Sequence, residues 1–162
     1  MGYYCNASVC LNGHTVTQDL SISSTRLAFC KKCGAKSIVR CPNCSAPIHG
    51  PYETPGVIAI GFSYHPPAYC HSCGSAYPWT ASALEAMREI ILEDEDLSAD
   101  EKDRLNQSLP DLIVETPKTD LAIMRAKKFA MRATSAVGSA LLSFITEHGC
   151  QKVIEALAAL TP

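Results

Sequence analysis

The pattern of apolar and polar positions changes near Trp79. Before Trp79, β-branched and apolar residues form short runs at 15–24, 37–40 and 56–62, which are separated by Gly, Pro and Cys and are typical of short strands. After it, apolar residues recur every three or four positions, as at Leu84, Met87 and Ile91, which is the period of an amphipathic helix. The pattern therefore predicts an α+β protein with strands in the first half and helices in the second.

The second half is predicted to contain three to four helices, one of them long. Their starts are marked by a possible cap at Thr80 or Ser82, by the capping-box pair Ser98 and Glu101, and by Pro117 in a first turn. The expected helices span 82–93, 98 to just before Pro110, 118–149 and 152–160.

The long third helix is unusual because residues 133–146 carry no charge and include many small side chains. Apolar residues cover more than one of its faces, so the helix is expected to be buried inside its own bundle or against another copy of the chain. We favour a homo-oligomer as a hypothesis. A membrane span is not expected, because the run is bounded by Arg132 and Glu147 and is shorter than the roughly 20 apolar residues that a bilayer requires.

Nine cysteines change this picture, because eight of them lie between Cys5 and Cys73. The N-terminus lacks a basic start followed by an apolar run, so we expect the reducing cytoplasm, where clustered cysteines are more often metal ligands than disulfides. Three C-x-x-C pairs and one Cys-x-x-x-His element supply eight ligands, enough for two structural Zn²⁺ ions in closed tetrahedral sites. The candidate ligands are Cys10, His14, Cys30, Cys33, Cys41, Cys44, Cys70 and Cys73.

An internal repeat indicates how the half-sites pair. Residues 28–35 and 68–75 share an Ala-aromatic-C-x-x-C-Gly-small pattern, and a C-x-Asn element precedes each copy. This favours sequential pairing, with the first half-site joined to the second and the third to the fourth. A cross-brace, which joins the first to the third and the second to the fourth, stays open, and so does replacement of His14 by Cys5.

Two domains follow from these patterns: a double zinc-ribbon domain over 1–79 and a helical, oligomerising domain over 80–162. Eight protein ligands leave neither ion a position for water, and no catalytic triad, phosphate loop or H-E-x-x-H helix is present. We therefore expect no enzyme. The favoured function is a zinc-binding scaffold that contacts a protein partner whose identity the sequence does not give.

The alternative function is nucleic-acid binding by a zinc ribbon. Lys31, Lys32, Lys36 and Arg40 cluster around the second and third half-sites, with Phe29 nearby. The first 79 residues contain five basic and two acidic side chains, a balance of +3. Seven ligand thiolates and two Zn²⁺ ions bring that balance to zero, whereas nucleic-acid binders usually present a strongly basic surface.

The motifs of the chain resemble a bacterial family. They are Met1-Gly2-Tyr3-Tyr4, Val9 to His14, Phe29 to Lys36, Cys41-Pro42-x-Cys44 and Cys70-x-x-Cys73-Gly74, followed by Tyr77 to Thr80. Together they are similar to DUF2321, a group of small bacterial zinc-ribbon proteins of unknown function. Leu109 to Leu112 and Thr116 to Thr119 extend the resemblance into the helical half. The resemblance implies a cytoplasmic protein with two metal sites and the same eight ligands, and it does not lead us to expect a cysteine at position 5.

Overall fold

The chain folds into two compact units, Met1–Ala81 and Ser82–Pro162. The computed structural model describes residues 1–22, 27–57, 63–132 and 136–158. Within these ranges the strands lie in the first unit, and the helices follow from residue 78 onwards. The predicted α+β class is confirmed.

The strands of the first unit form two small antiparallel sheets. They are β1 (Tyr3–Asn6), β2 (Ser8–Cys10), β3 (Thr15–Thr17), β4 (Ser37–Ile38) and β5 (His49–Glu53). One sheet has the order β3-β2-β4, in which Val9 lies opposite both Thr15 and Ile38. The other pairs β1 with β5, with Tyr4 opposite Tyr52.

The strands are shorter than the sequence pattern predicts, and three were not predicted. The run 15–24 is a strand only to Thr17, because the Asp19 carboxylate then accepts hydrogen bonds from the backbone N–H and the hydroxyl of Ser21 and forms a turn. The run 37–40 is a strand over two residues, and most of the run 56–62 lies outside the described residues. Strands β1, β2 and β5 carry no clear alternation. Pro51 in β5 is tolerated because, among the described strands, β5 pairs with β1 alone.

The core of the first unit joins strand and half-site residues. Its buried members are Ala7, Val9, Cys41, Ile48, Cys70, Tyr77 and Trp79. Tyr77 stacks on Trp79 with ring centroids 4.6 Å apart, and the indole N–H donates to the Pro67 carbonyl at 3.1 Å. Two presumed metal ligands, Cys41 and Cys70, are therefore part of the apolar core.

Five helices are described: α1 (Pro78–Glu93), α2 (Ala99–Ile113), α3 (Thr119–Arg132), α4 (Ala136–His148) and α5 (Gln151–Leu157). The capping box at Ser98 and Glu101 is present, since the Ser98 side chain accepts from the Glu101 backbone and the Glu101 carboxylate accepts from the Ser98 backbone. Helix α1 starts earlier than predicted, with Pro78 in its first turn. A backbone N–H in the first turn has no intrahelical acceptor, so proline removes no hydrogen bond there.

Two helix predictions were wrong. Helix α2 does not close before Pro110 but continues to Ile113, because Leu109, Leu112 and Ile113 are buried and their packing outweighs the hydrogen bond that proline removes. The single long helix expected over 118–149 is instead α3 and α4, which pack against each other, while residues 133–135 lie outside the described part. Of the described helices, none has the combined length and apolar character needed to cross a membrane.

Candidate metal centres

Each half-site contains a tight backbone turn, which closes just after the second cysteine in the three C-x-x-C pairs and just before His14 in the first half-site. In each, a residue with positive φ donates its N–H to the carbonyl of the first presumed ligand. These bonds are Gly13 to Cys10 (2.9 Å), Gly34 to Cys30 (2.8 Å), Ser45 to Cys41 (2.9 Å) and Gly74 to Cys70 (2.9 Å). Glycine reaches this conformation without steric cost, and Ser45, with φ of 62°, is the only non-glycine residue described that adopts it. Each turn brings both ligands of its half-site into the same cluster.

The first and second half-sites converge on one cluster. The Nδ1 atom of His14 lies 3.6 Å from Cys10 Sγ, 3.3 Å from Cys33 Sγ and 3.7 Å from Cys30 Sγ. Cys10 Sγ and Cys33 Sγ are 3.7 Å apart. The four ligand atoms lie within 4.8 Å of one another, so a single ion can contact all of them.

The third and fourth half-sites form a second cluster of four sulfurs. Cys41 Sγ lies 3.8 Å from Cys73 Sγ, and Cys44 Sγ lies 3.6 Å from Cys70 Sγ. All nine cysteines of the chain are free thiols, so these contacts are not disulfides. The grouping is sequential along the chain, and the cross-brace is not formed.

These spacings match the edges of a tetrahedral metal site. With a metal–sulfur distance of about 2.3 Å, sulfurs lie about 3.8 Å apart and a histidine nitrogen lies about 3.6 Å from a sulfur. Three of the sulfur–sulfur separations are 3.6 to 3.8 Å, the three imidazole–sulfur separations are 3.3 to 3.7 Å, and the remaining pairs of ligand atoms lie within 4.8 Å. Both clusters can therefore hold a metal ion with little rearrangement.

Hydrogen-bond donors favour ionised sulfur in the second cluster. The hydroxyl and backbone N–H of Ser75, together with the side-chain amide of Asn43, lower the pKa of Cys73 to about 5. The same amide lies 3.6 Å from Cys73 Sγ and donates to Ser75 Oγ at 3.0 Å. Asn43 is not among the site residues predicted from the sequence, although the repeated C-x-Asn element was a signal for it.

The sulfurs cannot all ionise without a compensating charge. In the first cluster burial opposes ionisation of Cys30, but the backbone N–H groups of Lys32 and Cys33 outweigh it and lower the thiol pKa to about 6. In the second cluster the Ala46 N–H favours the Cys44 thiolate, yet burial and the neighbouring sulfurs prevail and raise the pKa of Cys44 to about 11. A divalent cation at the centre removes this repulsion, because it stabilises every thiolate that it contacts.

The structure also locates the residues whose roles the sequence left open. Cys5 belongs to neither tetrad, and His14 completes the first one. Lys31, Lys32 and Lys36 are exposed on the second half-site, whereas the exposed Arg40 donates to the Ser45 carbonyl at 2.9 Å. Trp79 is only 6% exposed, so its indole packs in the core of the first unit.

Taken together, the fold and the clusters define an α+β protein with two cysteine-rich tetrads in its first unit, each able to hold a metal ion. A family model described as an uncharacterized protein conserved in bacteria (DUF2321) matches residues 3–155. The chain belongs to this family, as its motifs had suggested. No curated protein and no solved structure matches the chain.

Proposed function

We propose that each tetrad holds one structural zinc ion and that the protein is a non-catalytic scaffold in the bacterial cytoplasm, where thiols stay reduced. The observation that carries this proposal is the agreement of the ligand separations with the edges of a tetrahedron. Thiolate with imidazole is the ligand set that zinc prefers in closed sites. Four protein ligands leave no coordination position for substrate, which supports a structural role for both tetrads rather than a catalytic one.

The proposed role of zinc is to supply folding energy to the first unit. Its sheets consist of strands of two to five residues, and its apolar core is small. A structural zinc ion contributes on the order of 10 kcal/mol in small zinc peptides, far more than such a core supplies alone. Both tetrads lie in the first unit, and among the described residues of the helical unit there is no such cluster, so we expect its stability not to depend directly on metal.

Metal content and chelation test this proposal. Purified protein is expected to contain two zinc ions in the tetrads, and a strong chelator is expected to unfold residues 1–81 while most of the helical circular dichroism remains. Cys73→Ser should lose one ion, whereas the matched control Cys150→Ser should lose none, because Cys150 lies outside both clusters. A chelated protein that keeps the native contacts of its first unit would overturn the structural role.

The scaffold part of the proposal is supported by an apolar groove on the helical unit. A cavity of about 840 Å³ is lined by residues of α1 and α4: Ala86, Glu89, Ile90, Leu92, Glu93, Val137 and Ala140. Leu92 is 59% exposed there, although it lies on a largely apolar helix. We propose that a second copy of the chain covers this groove through α4, and that the zinc-bearing unit remains available to a protein partner.

Nucleic-acid binding is the second candidate, and the exposed side chains of the second half-site favour it. Phe29 is 63% exposed beside the exposed Lys31 and Lys32, a combination that can stack a base and contact phosphates. Replacement of Lys31, Lys32 and Lys36 by Gln should then abolish a salt-sensitive shift of single-stranded RNA or DNA. Absence of any shift at low salt in the unchanged protein would reject this candidate.

A further inference from the structure

A third group of potential metal ligands lies in the first unit, apart from the two tetrads. Cys5 lies in β1, Asp19 follows β3, and Glu53 ends β5. The thiol sulfur and one oxygen of each carboxylate all lie within 4.8 Å of one another. Cys5 is 3% exposed, whereas Asp19 is half-buried and Glu53 is exposed, so the cluster extends from the core to the surface.

The backbone fixes this convergence. The register between β1 and β5 shifts between Tyr4 and Asn6, so that Gly50 passes close to Cys5. A Cβ at Gly50 would collide with the Gln18 carbonyl oxygen and would lie 3.1 Å from Cys5 Cβ. Glycine at this position therefore lets the segment that carries Asp19 approach both strands. The Leu20 N–H holds that segment on β1 by donating to the Asn6 carbonyl at 2.8 Å.

Within the described residues, no basic side chain balances the charge of the cluster. In the ranges that the structure describes, neither Asp19 nor Glu53 forms an ion pair with a basic side chain. Their contacts are instead neutral donors: Ser21 donates to Asp19 at 2.7 and 2.8 Å, and the Tyr3 hydroxyl donates to Glu53 at 3.3 Å. Two carboxylates directed at one buried thiol form a local negative site that attracts a cation.

We propose that Cys5, Asp19 and Glu53 bind a third divalent transition-metal ion of the zinc class. One thiolate with two carboxylate oxygens is a mixed ligand set that zinc and cobalt accept, whereas magnesium and calcium prefer oxygen alone. Three protein ligands leave a coordination position open, and the carboxylates also border a cavity of about 330 Å³, lined in addition by Thr17, Gln18, Ile22 and Pro51. This ion therefore differs from those of the closed tetrads, because it exchanges more readily and can bind water or a small anion.

Binding at this site is coupled to one proton. Burial first, and then the charges of Asp19 and Glu53, raise the pKa of the Cys5 thiol to about 11, so the thiol is protonated near neutral pH. The incoming ion forms a bond to Cys5 Sγ and the thiol proton passes to water, so each ion bound releases one proton.

A cobalt titration of the chain loaded with only two equivalents of Zn²⁺ tests the third site, because the two four-ligand tetrads take up zinc before a three-ligand site does. Cobalt binds more weakly than zinc to the same ligands, so Co²⁺ reports the free site without displacing zinc from the tetrads. We expect the chain to bind one further equivalent of Co²⁺. The absorption spectrum should then show the thiolate-to-cobalt charge-transfer band of a single sulfur ligand. Cys5→Ser should abolish the band and Cys150→Ser, the matched cysteine control, should retain it.

A second pair of variants keeps the test decisive if Cys5→Ser fails to fold. Asp19→Asn and Glu53→Gln preserve side-chain shape, and each should weaken Co²⁺ binding by at least about tenfold while the tetrad zinc content stays unchanged. The proposal is overturned if no Co²⁺ binds to the zinc-loaded chain, if it binds without a thiolate band, or if these variants bind it unchanged. The inference does not rest on the proposed function, since tetrad zinc and third-site cobalt are measured separately.

Discussion

Gly13 lies directly beneath Trp79. A Cβ added at Gly13 would lie 3.1 Å from the Cβ and 3.3 Å from the Cγ of Trp79, and the φ of Gly13 is +85°. The turn between the two ligands of the first half-site, Cys10 and His14, is thus covered by the first turn of α1. Because Trp79 also belongs to the core that contains Cys41 and Cys70, one indole packs near both clusters.

Gly13→Ala is expected to destabilise the first unit by about 2 kcal/mol or more, because it adds a steric contact to a strained backbone conformation. Gly34→Ala is the matched control, since Gly34 has a φ of +72° but its Cβ would meet nothing within 4 Å. That variant should lose only about 1 kcal/mol of stability, which is the cost of a positive φ for a residue with a Cβ. Thermal unfolding of both zinc-loaded proteins measures the difference, and equal losses would contradict the packing of Trp79 on Gly13.

Ser45→Gly is expected to stabilise the first unit slightly. Ser45 holds a φ of 62° in the third half-site, at the position where the second and fourth half-sites have Gly34 and Gly74. Relief of this strain is worth about 1 kcal/mol, and the greater freedom of glycine in the unfolded chain offsets part of it, so we expect a gain of about 0.5 kcal/mol. A clear loss of stability in denaturant titration would show that the serine side chain contributes a contact that outweighs the strain.

Variants of His14 test the composition of the first tetrad. His14→Ala should open one coordination position and weaken zinc retention against a competing chelator by at least about tenfold, whereas His14→Cys should keep a closed site of four sulfurs. Cys5→Ser should leave the zinc of this tetrad unchanged, because Cys5 lies in the third cluster, with Asp19 and Glu53. Loss of tetrad zinc in Cys5→Ser with full retention in His14→Ala would reverse the assignment.

Leu92→Glu tests the proposed oligomer. Leu92 lines the groove between α1 and α4, so a buried charge there should shift a dimer towards the monomer at micromolar concentration in sedimentation equilibrium. Met124→Glu is the control on α3, because Met124 is 68% exposed and does not line this groove. An unchanged protein that sediments as a monomer would refute the oligomer, and equal dissociation by both variants would place its interface elsewhere.

The Cys5 thiol gives a pH dependence of stability in protein whose third cluster holds no added metal. Below about pH 9 the thiol is protonated in both the folded and the unfolded chain, so its ionisation does not change the free energy of unfolding. Between the ordinary pKa of 9.0 and the raised value of about 11, the unfolded chain loses the proton while the folded chain keeps it, so stability falls as pH rises. Cys5→Ala should unfold with a smaller loss across this window, and an identical pH profile would contradict the raised pKa.

Much of the candidate site could be predicted from spacing alone, because the turn that places two ligands on one ion is local. The C-x-x-C pairs need only the tight turn that Gly34 and Gly74 permit, and the repeat of the pattern indicated which pairs belong together. The cluster of Cys5, Asp19 and Glu53 could not be predicted in this way. Its members are 14 and 34 residues apart along the chain. The pairing of β1 with β5 brings Cys5 and Glu53 together, and the Leu20–Asn6 hydrogen bond adds the segment that carries Asp19.

The sequence by itself determined the α+β class, the ligand pairs, the capping box at Ser98 and the family, since each depends on neighbours within a few residues. The tertiary structure decided the sequential grouping of the half-sites, the extension of α2 past Pro110 and the separation of α3 from α4. These features depend on packing between distant segments, where burial of residues such as Leu112 outweighs local propensity. The same reason explains why the sequence offers Cys5 only as a replacement for His14, whereas the fold places it in a cluster with Asp19 and Glu53.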